Sequence, residues 1–267
     1  MRKKGNLAII SIIILVAFLG VSLLIYHNFY QEKVDIYQRY LNVYKQLDQD
    51  VDTISVSSIN HDVVFKISED NNIRVDYYQK LDNSNDFMII GKELVLTMKE
   101  KVDDVDSIFF SKTKELKTIT IYLPADKNIY VEISSIDGSL SVDNLELKTC
   151  RFTTITGSCT ISDSHVESII VVNNSGDVDL NNCQSKLINI NNTTGATSIK
   201  AAIPLENYRI NLLTSFGTLL VNGQEIYQKD QEGLLSVSNK YIVDPAGSVG
   251  SITIESTRGK INLDCPQ

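Results

Sequence analysis

The chain has 267 residues, 43% of them hydrophobic, and a formal net charge of −8. Its length and apolar content allow one sizeable core plus an appendage. The first charges, Arg2, Lys3 and Lys4, are all positive, so the chain from Glu32 onward carries −11; so acidic a body lacks the clustered cations that neutralise phosphate, which sets aside nucleic acid and anionic lipid headgroups as partners.

Leu7 to Tyr26 is a run of twenty residues broken only by Ser11, Gly20 and Ser22. As a helix it would span about 30 Å, the thickness of a bilayer's hydrocarbon core. The pattern predicts a basic cytoplasmic tail over 1–6 and a transmembrane helix over 7–26, with the basic end inside. The run is longer than the apolar core of a signal peptide, and no small-x-small cleavage pattern precedes His27. Beyond it, Tyr30, Val34, Tyr37, Leu41 and Tyr44 recur at alternating spacings of four and three, one stripe of a helix. A juxtamembrane helical stalk over 27–51 is expected, offering a seam for weak homo-oligomerisation.

From Asp52 the period changes to two. Ile54-Ser55-Val56, Val63 to Ile67, Ile73-Arg74-Val75, Glu93 to Met98 and Ile119-Thr120-Ile121 are rich in β-branched residues and bounded by Asp, Asn and Ser. Residues 52–267 therefore read as an all-β extracytoplasmic domain. Its four cysteines, Cys150, Cys159, Cys183 and Cys265, allow three disulfide pairings and choose none, and they match no metal-site spacing.

An internal repeat sets the architecture. Gly138, Gly157, Gly176 and Gly195 follow one another at 19 residues, and the pattern returns around Gly217 and Gly259. Seven before the glycine stand Val131, Cys150, Ile169, Ile188, Ile210 and Ile252; five before it, Ile133, Phe152, Val171, Ile190, Leu212 and Ile254. Two after it stand Leu140, Cys159, Val178, Thr197, Leu219 and Ile261; four after it, Val142, Ile161, Leu180, Ile199, Val221 and Leu263. Two alternating pairs of inward columns imply two short strands per repeat with the glycine at the turn between them. A fixed period near twenty residues predicts a parallel β-helix or solenoid whose coils stack in succession. Regular repeats cover 129–221, an insertion 222–249, and a last coil 250–264. Short polar residues before the glycine (Ser134-Ser135, Thr153-Thr154, Asn173-Asn174, Asn192-Thr193) suit hydrogen-bonded turns and stacked ladders.

The run Ile119 to Pro124, the segment Tyr130 to Val142 and the glycine-centred repeats that follow resemble the bacterial putative-adhesin β-strand-repeat family, over about residues 52–264. One membrane helix joined to such a domain is similar to the LiaG-like envelope proteins of low-GC Gram-positive bacteria. Ser175-Gly176-Asp177 keeps the family's usual turn, and Arg258-Gly259-Lys260 departs from it most. The resemblance implies a surface β-solenoid acting in adhesion or envelope-stress signalling, and it carries no catalytic residues.

Catalysis on stacked coils would need carboxylates gathered on one face. Asp137, Asp143, Asp163, Asp177 and Asp179 scatter over the repeat positions instead. Asp177, Asp179, Asn181 and Asn182 are oxygen-rich neighbours without the nonapeptide glycine repeat of calcium β-rolls. His27, His61 and His165 stand apart from any serine motif or partner acid. The expectation is a non-enzymatic, membrane-anchored binding or structural module of the cell envelope, without cofactor or metal, whose partner is an envelope protein or polysaccharide. An accessory regulator acting through the membrane helix is the alternative reading, and a polysaccharide-acting enzyme a third.

Overall fold

The computed structural model describes residues 15–27, 39–48, 50–81, 85–102, 113–125, 127–227 and 238–266. The chain divides into two compact units, Met1–Leu41 with Gln79–Ser84, and Asn42–Tyr78 with Asn85–Gln267. In the first, residues 15–27 form helix α1, and the Leu81 amide donates to the Arg39 carbonyl at 2.8 Å. Of the expected membrane span, 7–14 lies outside the described residues and 15–26 is helical. Among the described residues no helix is long and apolar enough to cross a membrane.

The second unit is almost entirely strand. In chain order the strands are β1 (Tyr40–Leu47), β2 (Thr53–Ser58), β3 (Asp62–Ile67), β4 (Ile73–Lys80), β5 (Asp86–Ile90) and β6 (Glu93–Thr97), then the short helix α2 (Thr113–Leu116). There follow β7 (Thr118–Leu123), β8 (Ile129–Asp137), β9 (Leu140–Asp143), β10 (Glu146–Thr156), β11 (Cys159–Ser162), β12 (His165–Ser175), β13 (Val178–Cys183), β14 (Leu187–Thr194) and β15 (Thr197–Ala201). The last are β16 (Tyr208–Thr214), β17 (Leu219–Val221), β18 (Gln224–Glu225), β19 (Asn239–Val243), β20 (Gly250–Arg258) and β21 (Ile261–Asp264).

Each coil gives its first strand to a 10-stranded sheet, ordered β19-β16-β20-β14-β12-β10-β8-β2-β6-β5, and its second to an 11-stranded sheet, ordered β1-β4-β7-β3-β9-β11-β13-β15-β21-β17-β18. Coil strands pair in parallel with the 19-residue offset kept in register: Cys150 lies opposite Ile169, and Ile169 opposite Ile188. Alternation then stacks each inward column on itself. Ile54, Val131, Cys150, Ile169, Ile188, Ile252 and Ile210 form one buried column, and Phe65, Val142, Ile161, Leu180, Ile199, Leu263 and Val221 face it from the other sheet. Residues 53–123 contribute two full coils, β2–β3 and β6–β7.

Two expectations are corrected. The helical stalk over 27–51 is not helical at its end: Leu41 and Tyr44 lie in β1, next to β4 in the sheet, while Tyr30, Val34 and Tyr37 lie outside the described residues. Tyr40, Val43 and Tyr44 suit a pleated surface, and an available strand edge overrides a short helical periodicity. The coils also do not stack in chain order. β20–β21 lies between β14–β15 and β16–β17, and β2–β3 lies between β6–β7 and β8–β9. The outermost coils carry antiparallel partners: β5 on β6, β4 on β7, β19 on β16 and β18 on β17. These partners supply the edge hydrogen bonds that an end coil would otherwise present to solvent. The insertion 222–249 supplies two of them, with 228–237 outside the described residues.

Candidate functional site

The turn glycines form a close-packed ladder in spatial rather than chain order. A Cβ on Gly157 would fall on the Gly138 carbonyl, one on Gly176 on that of Gly157, one on Gly195 on that of Gly176, one on Gly259 on that of Gly195, and one on Gly217 on that of Gly259. Gly176 and Gly195 also take φ of 136° and 119°, where side chains are strained. In the first coil His61 occupies the same rung, its carbonyl lying where a Gly138 Cβ would go.

Three residues before each rung runs a column of buried polar side chains: Ser58, Ser135, Thr154, Asn173, Asn192, Ser256 and Thr214. Ser58, Asn173, Asn192 and Thr214 donate to rung carbonyls from inside, while Ser256 Oγ has no partner. The Asn173 amide donates to the Gly157 carbonyl at 2.9 Å and to that of Gly176 at 3.2 Å; Asn192 repeats this one coil on, reaching the Gly176 carbonyl at 3.0 Å. Ser58 donates to Ser135 at 3.1 Å. At the opposite corner Asn144, Asp163 and Asn182 take φ of 54°, 47° and 54°, a conformation short polar residues tolerate. Their 19-residue spacing was visible in the sequence and marks this second turn.

The acidic residues weighed for catalysis are dispersed, and several are bound into the stack. Asp137 Oδ1 accepts from Thr156 Oγ1 at 2.9 Å, Asp163 Oδ1 from the Asn182 amide at 2.7 Å, and Asp177 Oδ1 from the Ala196 backbone N–H at 2.8 Å. Each of these bonds links a coil to the next, 19 residues on. Asp143 and Asp179 sit in β9 and β13, opposite Ser162 and Ser198. Of the oxygen-rich group Asp177, Asp179, Asn181 and Asn182, Asp177 and Asn182 bond to neighbouring coils, and among the described residues no group of three or more His, Cys, Asp or Glu is placed to hold a metal. His27 ends α1, His165 opens β12, and His61 is buried. All four cysteines are free thiols. Burial pushes Cys150 up to about 12 and Cys183 to about 11, so both stay protonated and behave as small apolar residues.

The outer surface carries repeated features of its own. The 11-stranded sheet displays an in-register row of short polar residues, Ser141, Thr160, Asp179, Ser198 and Asn262. The 10-stranded sheet sets Ile136 beside Ile155, each 52% exposed. Two clefts open on the 11-stranded sheet. One of ≈ 460 Å³ crosses β3, β9 and β11 at Val64, Lys66, Ser141, Asp143, Asn144 and Ser162. The other, of ≈ 380 Å³, lies over β4 and β7 and is lined by Asn42, Asp76, Tyr78, Lys114, Glu115 and Thr118, together with Tyr77 and Thr120.

Sequence reasoning passed over this second group. Strand alternation around Ile73-Arg74-Val75 and Ile119-Thr120-Ile121 puts Asp76 and Thr120 outward, but their juxtaposition depends on the antiparallel register Asp76 to Thr120, which no local pattern specifies. Beside them the Arg74 guanidinium lies 3.7 Å from the centre of the Tyr122 ring and 5.5 Å from that of Tyr44.

The model of the Toastrack DUF4097 family matches residues 51–267. No curated protein matches the chain. Among solved structures, one named a putative cell adhesion protein from Clostridium sporogenes ATCC 15579 is 14% identical, with 85% of this chain and 100% of that chain covered and a TM-score of 0.47. A structure named a putative adhesin from Bacteroides fragilis NCTC 9343 is 10% identical, covering 84% and 97% at a TM-score of 0.33. Another of that name, from Parabacteroides merdae ATCC 43184, is 9% identical, covering 86% and 97% at 0.25. Likeness at this level carries no argument about what the chain does.

Proposed function

The chain belongs to the Toastrack DUF4097 family, and from that premise we propose that it is a non-enzymatic binding module of the cell envelope, held at the membrane by its N-terminal apolar segment. The observation that carries this reading is the row Ser141, Thr160, Asp179, Ser198 and Asn262, repeated in register across five coils of one sheet. Parallel strands repeat at about 4.8 Å, so the row offers donors and acceptors at a regular spacing to an extended partner, the use to which repeat surfaces are suited. The carboxylates support the same reading, since Asp137, Asp163 and Asp177 are spent on holding neighbouring coils together.

The test is a photo-reactive residue placed at Thr160 or Ser198 of the full chain, irradiated on intact cells. The expected result is covalent attachment to a wall polymer or an envelope protein from both positions. A chain present at normal level that yields no adduct from either one would sink the reading.

A further inference from the structure

The cleft over β4 and β7 has the chemistry of a ligand site rather than of a surface irregularity. Its floor is the antiparallel pair in which Asp76 faces Thr120. Strand β1 contributes Asn42, and α2 contributes Lys114 and Glu115. Asp76 Oδ1 is buried and has no hydrogen-bond partner, although the Asp76 side chain as a whole keeps 32% of its surface exposed. A carboxylate oxygen shielded from solvent and left without a donor is costly and calls for an explanation, and the exposed part of the same carboxylate side chain lines the cleft, where a donor from outside can reach it. Its companion Arg74 lies at 3.8 Å, Nε to Oδ2, and does not reach Oδ1.

The remaining groups restrict what fits. Asp76 and Glu115 accept, Lys114 donates, and Asn42 and Thr120 do both. The Thr118 hydroxyl donates to the Lys114 carbonyl at 2.6 Å and so offers only lone pairs outward. A cationic ligand meets Lys114 and an anionic one meets Asp76 and Glu115. A neutral ligand whose groups each donate and accept satisfies the whole set, and hydroxyl is that group. Tyr78 adds an aromatic wall, and ≈ 380 Å³ lies within the usual range of small-ligand pockets.

The geometry points to this cleft as a binding site for a neutral sugar unit of an envelope polysaccharide, with Asp76 as the principal acceptor for ring hydroxyls. The inference rests on the binding-module reading and gives it a specific seat, at the end of the solenoid where β1 and β4 border the sheet.

Titration calorimetry on the full chain in lipid nanodiscs tests it with four probes: maltotriose, tri-N-acetylchitotriose, spermidine and trigalacturonate. The expected result is binding of a neutral trisaccharide and of neither charged probe. Asp76→Asn, which keeps the shape and removes the charge, weakens that binding about tenfold, the loss of a charge-assisted hydrogen bond. Thr120→Val weakens it as well, while Asn191→Ala, exposed on the 10-stranded sheet away from both the cleft and the polar row, leaves it unchanged. No binding of either neutral trisaccharide, preference for a charged probe, or binding indifferent to both Asp76→Asn and Thr120→Val would overturn the proposal. Retention on purified wall polymer separates it from the broader reading. Retention that survives Asp76→Asn but fails in Thr160→Arg overturns the cleft and leaves the binding module standing; a wild-type chain that adheres to neither wall polymer nor an envelope protein overturns both.

Discussion

His61 stands where the regular coils carry glycine, and the difference has a consequence for pH. Its side chain is 2% exposed and Nδ1 has no partner. Burial, reinforced by the nearby charge of Lys117, lowers its pKa from 6.5 to about 4. Above pH 6.5 both folded and unfolded chains hold a neutral imidazole, and its contribution to stability is intact. Between 6.5 and 4 the unfolded chain takes up a proton that the folded chain refuses, so stability falls as pH falls. Below about 4 both are protonated and the loss levels off at about 3 kcal/mol. The expected outcome is that urea midpoints of the wild type drop more steeply from pH 7 to pH 4.5 than those of His61→Gly, since the carboxylates titrate in both. Parallel pH profiles for the two proteins would refute the assignment. His61 was visible in the sequence only as an isolated histidine, because its burial depends on residues of other coils that close over the turn.

The glycine turn was readable at the scale of one coil because glycine returns at the same point of each repeat, although what excludes a Cβ there is the carbonyl of the neighbouring coil. A Val at 176 would drive its Cβ into the Gly157 carbonyl at a φ of 136°, whereas Ser175 takes part through its backbone, accepting from the Gly157 amide at 3.0 Å. Gly176→Val is therefore expected to cost about 3 kcal/mol or more and Ser175→Val less than about 1 kcal/mol. Equal denaturation midpoints for the two variants would remove the turn assignment. The polar residues ahead of each glycine were legible as hydrogen-bonding turn residues, but not as interior ones. Asn173 and Asn192 lie inside because the turn carbonyls point inward and need donors there, a requirement set by the neighbouring coil. The cleft at Asp76 was hidden for a related reason: each wall belongs to a recognisable strand, and only the pairing of β4 with β7 makes them one site.

Over the whole molecule, stacking order and chain order part at both ends. Coil β16–β17 is followed in the chain by the segment that supplies β18 and β19, so its outer edges can be closed by antiparallel pairing. Coil β20–β21 instead lies between β14–β15 and β16–β17, with both edges of both its strands paired. Removing residues 250–267 is therefore unlike trimming the last unit of an ordinary repeat protein, where stability declines by one increment. It takes an interior layer from the stack and strands the capped coil. The expected outcome is loss of cooperative unfolding for the whole β unit, read by thermal melting with far-ultraviolet circular dichroism. A truncated chain that melts cooperatively within a few degrees of the full chain would show that the inserted coil is dispensable.

The coil, its two inward columns on each strand and its glycine turn could be inferred from residues 129–264 because inward and outward positions alternate within a strand and the turn tolerates no Cβ. The first constraint acts between neighbours in the chain; the second is set by the carbonyl of the adjoining coil and showed in the sequence through the regular return of glycine. Which coil lies on which, where β1 goes, and which outward side chains share a cleft were decided by tertiary pairing. Ile188 fits against Ile252 as well as it would against Ile210, so apolar columns do not discriminate among coils. The choice falls to the arrangement in which the end coils are the ones with antiparallel strands to cover them, and that is a property of the assembled stack.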